Sequence, residues 1–224
     1  AGWELRSDAG SEVAADRAGA IAPMFGAAEA AHPDCAGGDE AFEVLRAAGF
    51  LTSHLEKCRT RPQDVGPNVR ANVEEGLRYS LDDYARAAAA QTKMYRAWQG
   101  FFAAHDVLIT PAITISPRPW KELYPAEIDG KPTRTYFHWL ALAYYPTLCG
   151  HPAISIPMGL DRNGMPFGLQ VVGPRGGDRL VLGVAAAIEE AFAGDPLRCR
   201  PVPDLAKLKA AKPVKEMAGA VGWD

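Results

Sequence analysis

The chain has 224 residues, 48% of them hydrophobic and 23% charged, with a formal net charge of −3 at pH 7. That length supports one large domain with a real core, and the interspersed charges exclude a basic nucleic-acid-binding stripe and an acidic interaction tail. There is no run of about 18 apolar residues to form a transmembrane helix and no charged-then-apolar leader, so a cytoplasmic protein without membrane or nucleic-acid partners is expected. Cys35, Cys58, Cys149 and Cys199 are far apart in sequence and form no CxxC pair. Reduced thiols and no structural zinc are therefore expected. His32, His54, His105, His138 and His151 show no metal-ligand spacing, and no phosphate-binding glycine loop is present, so neither a metal nor another cofactor is expected.

The chain starts without Met and without a strand or helix signal over residues 1–8, as if entered in mid-fold. Residues 12–21 are alanine-rich and read as helix, and 27–31 as an edge strand. Asp39 starts a helix through residue 48 with Phe42 and Leu45 inward, a further short helix covers 51–61, and 61–67 is a breaker-rich loop. Residues 68–78 read as helix. Ser80 and Asp83 form a capping-box-like start for the longest helix, 81–104. There Leu81, Tyr84, Ala88, Gln91, Tyr95, Trp98 and Phe102 recur at spacings of 3 and 4 as a buried stripe of packing residues.

Residues 106–110 read as a strand and 111–132, with five prolines, as a long loop. Residues 135–145 are aromatic and apolar on nearly all sides, which predicts a buried helix leading to Gly150. Two apolar runs follow, 153–156 and 167–172, each bounded by Gly or Pro. Both read as strands buried on two faces, joined by a tight turn at Asn163-Gly164. Asp178 caps a helix whose Val181, Val184, Ala185, Ile188 and Phe192 share one face. Strands with a helix packed on them make an α/β layer. Residues 1–196 form the domain and 197–224 a peripheral tail, partly helical over 204–211.

The order Gly150-His151-Pro152-Ala153-Ile154-Ser155-Ile156-Pro157, then Asn163-Gly164-Met165-Pro166-Phe167-Gly168-Leu169-Gln170-Val171-Val172-Gly173-Pro174, then an alanine-rich helix, closely resembles the C-terminal part of the amidase signature family. His105 to Ala112 is similar to that family's strand ending in Thr-Pro. The resemblance runs in matching order from about Gly37 to Phe192. It implies the C-terminal portion of the amidase signature fold, a mixed sheet with helices packed on it. It also implies hydrolysis of a small-molecule amide by a serine, a second serine next to a cis peptide, and a lysine, with no cofactor.

Those reacting groups have no counterpart here. Ser7, Ser11, Ser53, Ser80, Ser116 and Ser155 lie in no Gly-Gly-Ser-Ser-Gly context, and the lysine motif is absent. No catalytic residue is therefore assigned to this chain. The expectation is that it walls the pocket while the N-terminal half of the same enzyme supplies the chemistry. Local rivals are weak: Cys149 and His151 flank Gly150 as a Cys/His couple, and Ser53 and Lys57 are one helical turn apart, but such pairs are more often core and solvated face.

In the family, the segment before the Gly-x-Pro-Ala turn lies near the acyl part of the substrate. The resemblance thus nominates Trp139, Leu140, Tyr144, Tyr145 and His151 as pocket residues, with Ile113 and Trp120 from the preceding loop as a second wall. Leu140 falls nearest the aspartate with which the tRNA-dependent amidotransferases of the family hold glutamine. An apolar residue there favours an aromatic or aliphatic amide over that subtype. The rival reading is a non-catalytic assembly module whose unmatched sheet edge pairs with a partner chain or with itself as a homodimer.

Overall fold

The computed structural model describes residues 8–118, 122, 124–128, 130–161 and 163–213, with the side chains of 8–12 excepted. The elements in order are α1 (Asp8–Ile21), α2 (Gly38–Thr60), α3 (Pro67–Gly76), α4 (Leu81–Phe102), β1 (Leu108–Pro111), β2 (Glu127–Ile128), β3 (Lys131–Pro132), α5 (Ala141–Cys149), β4 (Ala153–Leu160), β5 (Pro166–Val172), α6 (Asp178–Phe192) and α7 (Leu205–Ala210).

The sheet is three-stranded in the order β1-β5-β4. Thr110 and Ser155 both lie opposite Gln170, one on each side of β5. Side chains alternate across a strand, so Leu169 and Val171 share one face of β5 and Gln170 and Val172 the other. On the first face Ile156, Met158, Leu169 and Val171 close a core with Val181, Ala185 and Ile188 of α6 and Ile21 of α1. On the second, Val172 joins Met94 and Trp98 of α4 with Ala141, Tyr144, Tyr145 and Cys149 of α5. Helices therefore cover both faces of the sheet, and α2 packs outside α4 and α5.

The α/β class is as the sequence predicts, and the three strands pair antiparallel throughout, so none of the expected mixed pairing lies within them. Seven local expectations are corrected. Residues 27–31 form no strand; this alanine stretch lacks β-branched side chains and runs as a loop along β1. The two helices expected over 39–61 are one, α2, because Gly49 is exposed with open space around it and costs only propensity. In α4 the buried residues are Ala87, Met94 and Trp98, whereas Leu81 is 85% exposed. Periodicity identifies the helix, but one residue's step is about 100° of rotation, so the exact face escapes it. The long loop over 111–132 contains the two-residue ladder of β2 and β3. Strand β4 is half-buried, with Ala153, Ser155 and Pro157 exposed, because α4 and α5 cover β5 and stop short of β4.

The helix expected over 135–145 begins later, at Ala141, after a single 3-10 turn. Trp139 explains part of the delay: its indole N–H donates to the Tyr136 carbonyl at 2.7 Å, holding a turn rather than a helix. Gly177, not Asp178, occupies the N-cap of α6, and Asp178 is its first helical residue. The capping box at Ser80 is complete: Asp83 N–H donates to Ser80 Oγ at 3.1 Å, and Ser80 N–H donates to Asp83 Oδ2 at 2.8 Å. At the β4–β5 turn, Asp161 Oδ1 accepts from Asn163 N–H and Met165 N–H, and Gly164 supplies the positive φ of 74°.

Helix α1 is held by one side chain. Arg17, 6% exposed, donates through Nε to the Met158 carbonyl at 2.8 Å and through Nη2 to those of Leu160 and Leu197 at 3.1 and 3.0 Å. Asp16 bridges it to Arg198. Arg17→Ala removes three charge-assisted bonds to main-chain carbonyls. The expected loss is about 2–3 kcal/mol by chemical denaturation, with faster amide exchange confined to α1 and residues 195–199.

Candidate functional site

Two cavities stand out. One, of about 500 Å³, lies between α1, the β4–β5 hairpin and residues 196–201, with Arg17 and Asp16 in its wall. Asp16 and Arg17 there are already committed to each other, to Arg198 and to main-chain carbonyls. The other, of about 450 Å³, lies on the α4–α5 side of the sheet. Its floor is β1 and β5 (Leu108, Thr110, Gln170, Val172), and α5 (Leu142, Tyr145, Pro146), Trp98 and the loop over 30–35 form its sides. A largely apolar cavity with a few fixed polar groups is the form of a small-molecule site.

The geometry of α5 follows from Pro146. Within the helix it has no N–H to give to the carbonyl four residues back. That carbonyl, of Leu142, instead accepts from Gln170 Nε2 at 2.8 Å. The helix ends at Gly150, whose φ of 67° lets its N–H and that of His151 turn back onto Thr147 and Pro146. Tyr144 and Tyr145 both donate their phenol O–H to Asp39 Oδ1, at 2.6 and 2.7 Å, tying α5 to the first turn of α2. The approach is close at Gly38, where an added Cβ would lie 2.6 Å from the Tyr145 ring and 2.9 Å from the Met94 sulfur. Burial first, and Asp39 second, push both phenols far above the usual tyrosine range, so they are neutral donors.

Burial also pushes the thiols up: Cys35, in the cavity wall, to about 11 and Cys149 to about 12. A thiol held protonated is a poor nucleophile. His151 completes the case against a Cys149/His151 couple. Its Nδ1 donates to the Gly173 carbonyl at 2.9 Å, its ring lies against Trp98 and Phe102, and burial lowers its pKa. It is a neutral core histidine. Ser53 and Lys57 are exposed on α2. Since both thiols titrate higher in the folded chain than their ordinary value of 9.0, their contribution to stability is complete below about pH 9 and declines as pH rises through 11 to 12. The urea midpoint should fall steadily between about pH 8.5 and 10.5; a rise would contradict this placement of the cysteines.

Of the residues nominated as pocket walls, Tyr145 lines the 450 Å³ cavity. Tyr144 stacks on Phe42 at 4.1 Å, away from it. Leu140 packs at the edge of the α4–α5 core, and Trp139 is half-buried with its carbonyl accepting from Thr114 Oγ1. Ile113 is 36% exposed in the loop after β1, and His151 is buried in the core. Trp120 lies outside the described residues. Sequence reasoning missed Cys35, Asp39 and Gln170. The last carried a signal: it is the one polar residue in the apolar run from Phe167 to Val172.

Fold and cavity together define an α/β scaffold with a largely apolar cavity on one face of its sheet. The chain belongs to the Amidase family, whose model matches residues 33–182. It is 29% identical over 162 residues to the 2-amino-5-chloromuconic acid deaminase of Comamonas testosteroni, covering 70% of this chain and 34% of that protein. It is 31% identical over 118 residues to an acylamidase of Rhodococcus erythropolis, covering 52% and 24%. It is also 34% identical over 151 residues to a component of the glutamyl-tRNA(Gln) amidotransferase of Nocardia farcinica, covering 64% and 29%. Among solved structures, a chain from a vestigial protein complex linked to the origins of an s-triazine catabolic enzyme superposes with a TM-score of 0.71 at 27% identity, over 89% of this chain and 43% of that one. An amidase crystal structure superposes at 0.69 with 24% identity, over 81% and 42%, which bears on the fold alone. The chain thus spans 34% or less of the length of these curated relatives. Among the described residues no helix is long and apolar enough to cross a membrane, and no three His, Cys, Asp or Glu side chains are placed to hold a metal.

Proposed function

We propose that this chain is the C-terminal portion of a hydrolase of amide C–N bonds, and that it forms the substrate-side wall and scaffold of an active site whose reacting groups belong to the N-terminal half of the enzyme. The observation that carries this reading is the 450 Å³ cavity between sheet and α5, which has pocket walls and no hydrolytic machinery. Acyl transfer needs an activated nucleophile with its base in reach. Among the described residues, Ser80 caps α4, Ser53 and Ser155 are exposed, Ser116 is half-buried in a loop, and none hydrogen-bonds a lysine or histidine. Apolar walls would take the non-reacting part of the amide and exclude water around it. A relative named as an acylamidase supports an amide substrate, and one named as the deaminase of an amino-muconic acid supports a small molecule.

The test is hydrolysis of a simple aromatic amide by this chain alone and by the chain together with the N-terminal half. We expect background rates for the first and turnover for the second. Turnover by the chain alone would place the catalytic groups here and overturn the reading. A second reading, an assembly module, is favoured by one feature: among the described residues β4 pairs only with β5, leaving its other edge open. Light scattering separates the two, since an assembly module would be a dimer and a pocket wall need not be.

A further inference from the structure

We infer that Gln170 is a specificity-determining residue of the pocket: its side-chain oxygen selects ligands that carry a hydrogen-bond donor on an otherwise apolar group. The inference deepens the proposed function and rests on it.

The orientation of the amide is fixed by its neighbours. Gln170 is 8% exposed on the cavity floor. Its Nε2 lies 2.8 Å from the Leu142 carbonyl oxygen, which can only accept, so the nitrogen and not the oxygen occupies that position. The same nitrogen lies 3.3 Å from Thr110 Oγ1 on the neighbouring strand. Both amide hydrogens are thereby committed, and the group cannot flip without leaving the Leu142 carbonyl unpaired beside Pro146. Its Oε1 has no donor among the described residues, yet is not one of the buried polar atoms sealed away without a partner. Because Gln170 lines the cavity, we assign this oxygen to the cavity surface.

The surroundings make that oxygen selective. Leu108, Val172, Leu142, Pro146 and Trp98 border the same space and offer no competing side-chain acceptor. The polar groups at the far side are engaged: the Tyr145 phenol donates to Asp39, and the Cys35 thiol and His32 Nδ1 both face the Pro33 carbonyl. A ligand that fills the cavity and strips water from Oε1 without replacing it leaves a buried acceptor unpaired, which is the stronger half of the energetic asymmetry of hydrogen bonds. A hydroxyl or N–H at that point restores the bond. The ligand class is therefore an amide whose apolar arm bears one donor, a phenol or a secondary amide, in preference to a plain hydrocarbon.

The test compares binding of 4-hydroxyphenylacetamide and 4-methylphenylacetamide, which match in size, to the chain by calorimetry or ligand-observed NMR. We expect the hydroxyl compound to bind roughly tenfold tighter, the worth of one buried hydrogen bond. In Gln170→Met, similar in shape but without the acceptor, the preference should collapse to within about twofold, with circular dichroism confirming the fold. Equal affinity of the wild-type chain for both compounds overturns the role of Gln170 and leaves the pocket reading intact. Binding of neither overturns the pocket reading along with it. A preference that survives in a folded Gln170→Met assigns the selection to another group and also overturns the inference. The wild-type comparison decides the matter even if the variant does not fold.

Discussion

Trp98→Ala is expected to cost about 3–5 kcal/mol, the range for deleting a large buried aromatic, and for a chain of this length to lower Tm by roughly 10 °C. Trp98 is 2% exposed and sits where α4, α5 and the sheet meet. Its ring lies 5.2 Å from that of His151 and 6.2 Å from that of Phe102, and it borders the 450 Å³ cavity. Truncation therefore merges the new void with an existing one, and the walls cannot relax inward to close both. Trp98→Phe should recover about half the loss. Thermal unfolding followed by near-UV circular dichroism measures it, and a drop below about 1 kcal/mol would show that α4 does not anchor this face.

Asp39→Ala should cost about 3 kcal/mol, from two bonds of charged acceptor to neutral donor at about 1.5 kcal/mol each, the low end for such bonds, taken because the Asp39 side chain keeps 25% exposure. What is lost is the oxygen that both phenols share, at the joint that sets the position of α5. Asp39→Asn keeps one acceptor oxygen and should lose about half as much. The pH dependence carries its own sign. Both phenols have folded-state pKa values raised above their ordinary value of 10.0, chiefly by burial. Their contribution to stability is therefore complete below about pH 10 and is lost as pH rises beyond it. Denaturation at about pH 7.5 and about pH 10.5 should show the advantage of the wild-type chain over Asp39→Ala shrinking at the higher value, since Asp39 is part of what holds the phenols protonated. An Asp39→Ala chain as stable as wild type at the lower pH would remove the joint from the account. In both experiments the effect on ligand binding should follow the effect on α5, because Leu142, Tyr145 and Pro146 form one side of the cavity.

Individual residues show how far the sequence could be read. The strands at Ala153 and Phe167, the turn at Asn163-Gly164 and the inward face of α6 were legible because each is a local pattern: a short apolar run bounded by Gly or Pro, a positive-φ dipeptide, period 3.6. The family was legible for the same reason, since its motifs are contiguous. The site was less legible. Tyr144 and Tyr145 are adjacent in sequence and aromatic alike, yet only Tyr145 borders the cavity. Asp39 looks like a helix-start residue; its hold on two phenols depends on α2 lying against α5 at Gly38, a contact between residues 105 and 106 positions apart.

The sequence by itself determined α4, α6, the strands β4 and β5 with their turn, the family resemblance and the absence of the family's serine–lysine motifs, because these are properties of short contiguous stretches. Tertiary structure decided which side chains face a common space. Pro146 withholds an N–H from Leu142, and only the crossing of α5 over β5 brings Gln170 Nε2 to that carbonyl at 2.8 Å. Such pairings are set by packing between distant segments, and no spacing along the chain encodes them.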